Sequence, residues 1–221
     1  SLQNLPKLTD DVCFGGQLQG GLVLKDLAPI IPMLKELNRP LDFSLAFKGQ
    51  GKNVEIPLLE LSDERYLDVQ GNLSLLNWDA KHDMFIQAEL KNLSVTQPGI
   101  RYFMDNLTGS VPSILDRMEF VRFKGSAGGY FHDLQVGGLL QTAAGAVDAN
   151  LLINSDSDFK RTYSGGVKSK NLNLGKLLGD SKFGHTQFNV DLKGFNYNDK
   201  YPESYIKGIV SSFDYSGYCY E

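Results

Sequence analysis

"YSGGVKSKNLNLGKLLGD", residues 163–180, admits two readings that lead to different folds. Paired glycines, spaced lysines and a short apolar tail imitate a phosphate-binding turn. Such a turn needs G-x-x-x-x-G-K-[ST], so that backbone N–H groups curl round the phosphates and the lysine reaches the terminal ones. Here Gly175-Lys176 is followed by Leu177, and Lys170 stands where the first glycine belongs. The stretch is instead the head of a repeat, because its phrases recur elsewhere in the chain.

Three phrases return in the same order. Lys-Asx-Leu occurs at Lys25-Asp26-Leu27, Lys91-Asn92-Leu93 and Lys170-Asn171-Leu172, with starts 66 and 79 residues apart. A strand closing on Lys-Gly occurs at Lys48-Gly49, Lys124-Gly125 and Lys193-Gly194. A strand with a small residue at its middle occurs around Gly71, Ala149 and Gly208. Constant order with elastic spacing is what strands joined by variable loops produce. The approximate units are 12–83, 84–160 and 161–221. After each first phrase comes a short apolar segment (29–38, 98–107 and the "LGKLLGD" at 174–180) that reads as one or two helical turns capping the structure. Pro29, Pro32 and Pro98 suit a helix start or an irregular turn and forbid a central strand there.

Alternation of period two marks the strands. In 41–48, Leu41, Phe43, Leu45 and Phe47 share one face; in 67–75, Leu67, Val69, Leu73 and Leu75 do so. Val147, Ala149, Leu151 and Ile153 repeat the pattern, as do Phe188, Val190 and Leu192, and then Ile206, Gly208 and Val210. The opposite positions are chiefly Asp, Asn, Gln, Ser and Lys, with Ala46 among them. This is an antiparallel sheet with one dry and one wet face. The expected class is all-β with short helical turns: an elongated, curled antiparallel sheet forming a trough or solenoid-like groove. A two-sheet sandwich is the competing arrangement, in which the strand glycines are ordinary bends.

Bulk properties narrow the function. The chain has 221 residues, 42% hydrophobic and 22% charged, with a net charge of −4. That suffices for a folded core and gives no concentrated basic face for nucleic acid. No run of 18 apolar residues could span a membrane as a helix. Ser1 reads as a cloning scar and "SGYCYE" as an end in mid-pattern, so the chain reads as an excised segment of a longer protein. Cys13 and Cys219, near opposite ends, read as free thiols rather than a disulfide.

Chemistry-bearing clusters are few. Asp79, His82 and Asp83 in "WDAKHD" lack a third well-placed ligand for a metal. His132 and His185 are isolated. Asn154, Asp156 and Asp158 imitate a calcium loop, but Phe159 and Gly165 stand where that loop needs Gly and Glu. Asn72, Asn92 and Asn106 head formal glycan-acceptor triplets. The aromatics of "YIKGIVSSFDYSGYCY" lack the basic groove that a base-stacking platform uses. No catalytic residue, metal or cofactor is expected.

The segments "GVKSKNLNLGKLL" (166–178), Lys193-Gly194 and "IVSSFDYSGYCY" (209–220) resemble the repeat region of the TamB/AsmA-like superfamily, of Bacteroidota type. The likeness is densest over 160–221 and thins over 1–159. It implies a periplasmic segment of a Gram-negative envelope protein whose inner-membrane anchor lies outside this stretch. It further implies a curled sheet that binds or conducts phospholipid acyl chains between the two membranes, with outer-membrane assembly proteins as partners. The lipid-facing positions expected from the alternation are Phe43, Leu45, Phe47, Val69, Leu73, Val147, Leu151, Phe188, Val190, Leu192, Ile206 and Val210. The alternative is a structural or chaperone-like β-domain whose edges pair with strands of outer-membrane proteins.

Overall fold

A computed structural model describes residues 12–28, 32–80, 83–130, 132–155, 160–197 and 201–221. Twelve strands form one open antiparallel sheet, and their order in the sheet is their order in the chain. They are β1 (Cys13–Val23), β2 (Pro40–Gln50), β3 (Asn53–Asp63), β4 (Leu67–Leu76), β5 (Phe85–Thr96), β6 (Phe120–Tyr130), β7 (Asp133–Thr142), β8 (Gly145–Ser155), β9 (Lys160–Asn173), β10 (Phe183–Tyr197), β11 (Tyr201–Tyr215) and β12 (Tyr218–Tyr220). The sheet curls without closing into a barrel, and among the described residues no second sheet packs on it. The sandwich is therefore excluded.

Helical segments follow β1, β5 and β9. After β1 come two 3-10 turns, Leu24–Leu27 and Pro32–Glu36. After β5 come α1 (Gln97–Thr108) and α2 (Ser113–Arg117), and after β9 comes α3 (Leu174–Leu178). Each starts or stops for local reasons. The Thr96 hydroxyl accepts from the Gly99 N–H at the head of α1, Pro98 sits in its first turn, and Gly109 ends it in the left-handed region. The Asn173 side chain accepts from the Lys176 N–H to start α3, and Gly179 ends it. At twelve residues α1 is longer than the one or two turns expected.

Because a meander alternates direction, the ends of β1, β5 and β9 all lie along the same rim. The helical segments touch in sequence along it: Pro32–Glu36 against α1, α1 against α2, and α2 against α3. Polar links tie this lip together. Arg101 holds Asp116 in a two-pronged ion pair at 2.5 and 3.1 Å, and Arg117 donates to the Leu177 carbonyl at 3.0 Å. Lys176 meets Glu119 at 2.8 Å. Arg39 pairs with Asp63 at 3.2 Å while lying 4.0 Å from the centre of the Tyr66 ring.

The recurring phrases acquire physical meanings, some different from those expected. Lys91-Asn92 and Lys170-Asn171 are β-bulges: Leu90 and Leu93 oppose Gly125 and Phe123, and Ser169 and Leu172 oppose Phe188 and Thr186. The extra residue re-phases the strand so that Leu93 and Leu172 return to the dry face, and it adds local twist. In the first unit the equivalent phrase lies in a 3-10 turn. Lys-Gly does not close every strand, since β6 and β10 run on past Gly125 and Gly194. Those glycines are required by close approach. A Cβ at Gly194 would strike the Tyr163 ring, and one at Gly125 would meet the Phe123 ring at 2.6 Å. The third phrase falls on the fourth strand of the first two units (β4, β8) but on the third strand, β11, of the last. Gly165-Gly166 lie inside β9, in a strand and not in a phosphate-binding turn.

Candidate functional site

Residues paired directly across antiparallel strands put their side chains on the same face. Following the register from β2 to β11 therefore assigns the faces. Phe43 pairs Leu61, which pairs Val69; Val69 pairs Leu93, Leu93 pairs Phe123, Phe123 pairs Leu140, and Leu140 pairs Val147. Two residues on, Ala149 pairs Val167, which pairs Val190; Leu151 pairs Gly165, which pairs Leu192 and then Ile206. Phe188 pairs Val210. All twelve positions singled out in the sequence thus stand on one face. The same walk adds members that the alternation did not reveal, among them Leu59 and Leu61 on β3, Leu90 and Val95 on β5, Phe123 on β6, and Val136 on β7.

This apolar face has two parts. Along the helical rim it is sealed. Leu37, Leu41, Ile100, Ala144, Leu172 and Leu177 are buried, and Met118, Val147, Leu174 and Phe188 pack against the Ala144–Leu172–Leu177 cluster. Two buried polar groups here are satisfied: the Ser169 hydroxyl donates to the Ala146 carbonyl at 2.7 Å, and the Thr186 hydroxyl to the Ser212 carbonyl at 3.1 Å. Away from the rim nothing among the described residues lies over the face. Phe43, Leu45, Phe47, Val69, Leu73, Leu151, Val190 and Leu192 are half-buried. Towards β11 the face is bare, with Ile206 67% exposed and Val210 57% exposed, against 7% for Leu172.

An apolar hollow of about 620 Å³ lies on the bare part. Phe188, Val190, Ile206 and Val210 line it, with Leu174, Thr186 and Phe213 at the helical rim. A more voluminous hollow, about 940 Å³, lies elsewhere, on the wet face of β4–β8 among Asn72, Gln87, Glu89, Gln135, Asp148 and Asn150. It takes none of the twelve positions and was not legible as a motif.

The described residues reflect this lack of cover. No described large side chain is completely buried. The sheet is held chiefly by its ladders and cross-strand pairs, with a core confined to the helical rim.

The polar candidates do not converge. His82 and Asp156–Asp158 fall on residues outside those described, so neither the Asp79–His82–Asp83 nor the Asn154–Asp158 reading is placed. His132 stacks on Tyr130 at 6.0 Å, and the exposed His185 donates its main-chain N–H to Asp214. Among the described residues no three metal-ligating side chains gather. Cys13 and Cys219 are free and exposed on strands at opposite ends of the sheet, too far apart in the strand order to bridge. A hydrogen bond with Asp214 pushes the Cys219 thiol up. No described helix is long and apolar enough to cross a membrane.

No family model, curated protein or solved structure matches the chain.

Proposed function

We propose that this sheet is a lipid-holding segment of a TamB/AsmA-like periplasmic protein, sheltering phospholipid acyl chains on its apolar face. One observation carries the reading: a single apolar face runs from strand to strand and, among the described residues, is left uncovered except along one rim. Strand spacing of about 4.8 Å carries it roughly 50 Å along the sheet, and a ten-residue strand is about 33 Å tall. Each acyl methylene moved from water onto such a face gains about 0.8 kcal/mol, so a chain can be held without a directed hydrogen bond. Laid along the face, a lipid can also pass from one strand to the next without crossing a polar barrier. The helical rim gives the sheet a stable seam while leaving the face free. In this reading the membrane anchor and the partners in outer-membrane assembly lie outside the segment.

The test compares two acids placed on the same face. Val190→Asp sits in the open part and Leu172→Asp in the sealed part. Displacement of a fluorescent fatty acid, with circular dichroism as the folding control, reads both. Val190→Asp should fold and lose probe binding. Leu172→Asp should fail to fold, because burying an unpaired charge is far more costly than exposing one. Unfolding of both variants would mean that the face is closed in solution. The strand-pairing β-domain would then replace the lipid reading.

A further inference from the structure

The wet face carries a feature that a plain solvent-exposed surface does not need. Gly128 on β6 and Gly137 on β7 lie at the floor of the 940 Å³ hollow. Neither glycine is demanded by the fold. A Cβ at Gly128 would meet nothing closer than 4.0 Å, and one at Gly137 nothing closer than 3.6 Å. Neither backbone adopts positive φ. This separates them from Gly125 and Gly138 on the same strands, where an added Cβ would run into the neighbouring backbone. Glycine inside a strand is unfavourable. Here its effect is to keep a space empty.

The walls of that space are pre-oriented. On one side the Asn72 amide donates to Glu89 at 2.9 Å. On the other the Gln135 amide donates to Asn150 at 3.1 Å. Asn72, Glu89, Ser126, Gly137 and Asn150 stand in one row across five strands, each opposite the next. Each wall residue has hydrogen-bonding capacity beyond its one internal bond. Phe85 closes the end of the hollow, with the Tyr130 ring edge-on to it at 5.4 Å.

No lysine or arginine lines the hollow, which disfavours a phosphate or a nucleic acid. Its lining is too polar for a lipid tail. Short amides, carboxylates and hydroxyls fixed on a rigid ladder answer rows of neutral hydroxyls, and an aromatic ring at the end suits the C–H face of a sugar. The geometry points to a glycan-binding site on the wet face of β4–β8 that takes a neutral oligosaccharide lying across the strands. It is independent of the lipid reading and lies on the opposite face.

Titration of the whole 221-residue chain with the tetramer of N-acetylglucosamine and with cellotetraose, followed by amide chemical shifts, tests it. Wild-type protein should show saturable shifts with at least one sugar at millimolar concentration, centred on β5–β8. Gly137→Val fills the floor with a good strand former. It should weaken binding at least about tenfold, or 1.4 kcal/mol, while the melting temperature stays level or rises. Gly128→Ser is a second, smaller filling should the valine disturb the sheet, and Asn150→Ala removes a wall without filling the floor. The assignment is overturned if neither sugar gives saturable shifts, or if every folded variant binds as the wild type does. It is equally overturned if tetralysine saturates the hollow and the sugars do not, since the two carboxylates would then be reading cations.

Discussion

Leu172 on β9 and Ile206 on β11 stand on the same face of the same sheet, two strands apart, in opposite environments. Leu172 is sealed beneath α3 with Ala144 and Leu177, whereas Ile206 looks into open space. The first is a folding residue and the second is not. An apolar face can therefore hold a protein together over part of its area and remain available over the rest. The helical lip makes the division.

Substitutions should divide along the same line. The largest effect is expected at the rim. Leu172→Ala should cost about 2–4 kcal/mol in thermal or urea denaturation, the usual range for emptying a packed leucine site. A loss below about 1 kcal/mol would mean the seam is not the core. Next comes Gly165→Ala, inside β9 between Leu151 and Leu192, where φ is +147° and an added Cβ would strike the Asn150 carbonyl. About 1–3 kcal/mol of destabilisation is expected there from backbone strain. Ile206→Ser should be nearly silent in stability, within about 0.5 kcal/mol, because that side chain is already solvated. It should nonetheless weaken fatty-acid binding.

The smallest effect concerns the Arg101–Asp116 pair that links α1 to α2. The hydrogen bond from Arg101 holds the Asp116 carboxyl below its ordinary range. A depressed carboxylate contributes stability that is complete above its unfolded value and lost as pH falls through the folded one. Asp116→Asn should therefore cost little at neutral pH, since the pair is exposed, and should remove a small part of the acid sensitivity of melting. A melting curve whose dependence on acid is identical in the variant would show that the pair contributes nothing to the lip.

Parts of this architecture were legible because their alternation is unbroken. Strands β2, β4, β8 and β10 show it cleanly and hold ten of the twelve face positions; Ile206 and Val210 lie on β11, and all twelve share one side. β3 hides its face because the bulge at Pro57-Leu58 shifts the phase between Ile56 and Leu59. β5 is hidden in the same way at Lys91-Asn92, and that phrase marks a repeat without announcing a bulge. In β6 and β7 glycines dilute the pattern, so Phe123 and Val136 have too few apolar neighbours in sequence to declare a side. The length of α1 was missed because Pro98 and Gly99 suggest a break, whereas Pro98 occupies the first turn, where its missing N–H is harmless. The hollow on the wet face could not be found from a motif. It is made by missing side chains on two strands and by polar ones brought in from three others.

The most direct measurement is organic extraction of the purified chain followed by mass spectrometry of the extract, with a soluble β-protein of similar size prepared in parallel. An uncovered apolar face that holds acyl chains predicts phospholipid in near-stoichiometric amount in this protein and none in the control. A monomeric, stable and lipid-free chain would contradict the account, because the face would then have found its cover within the protein itself.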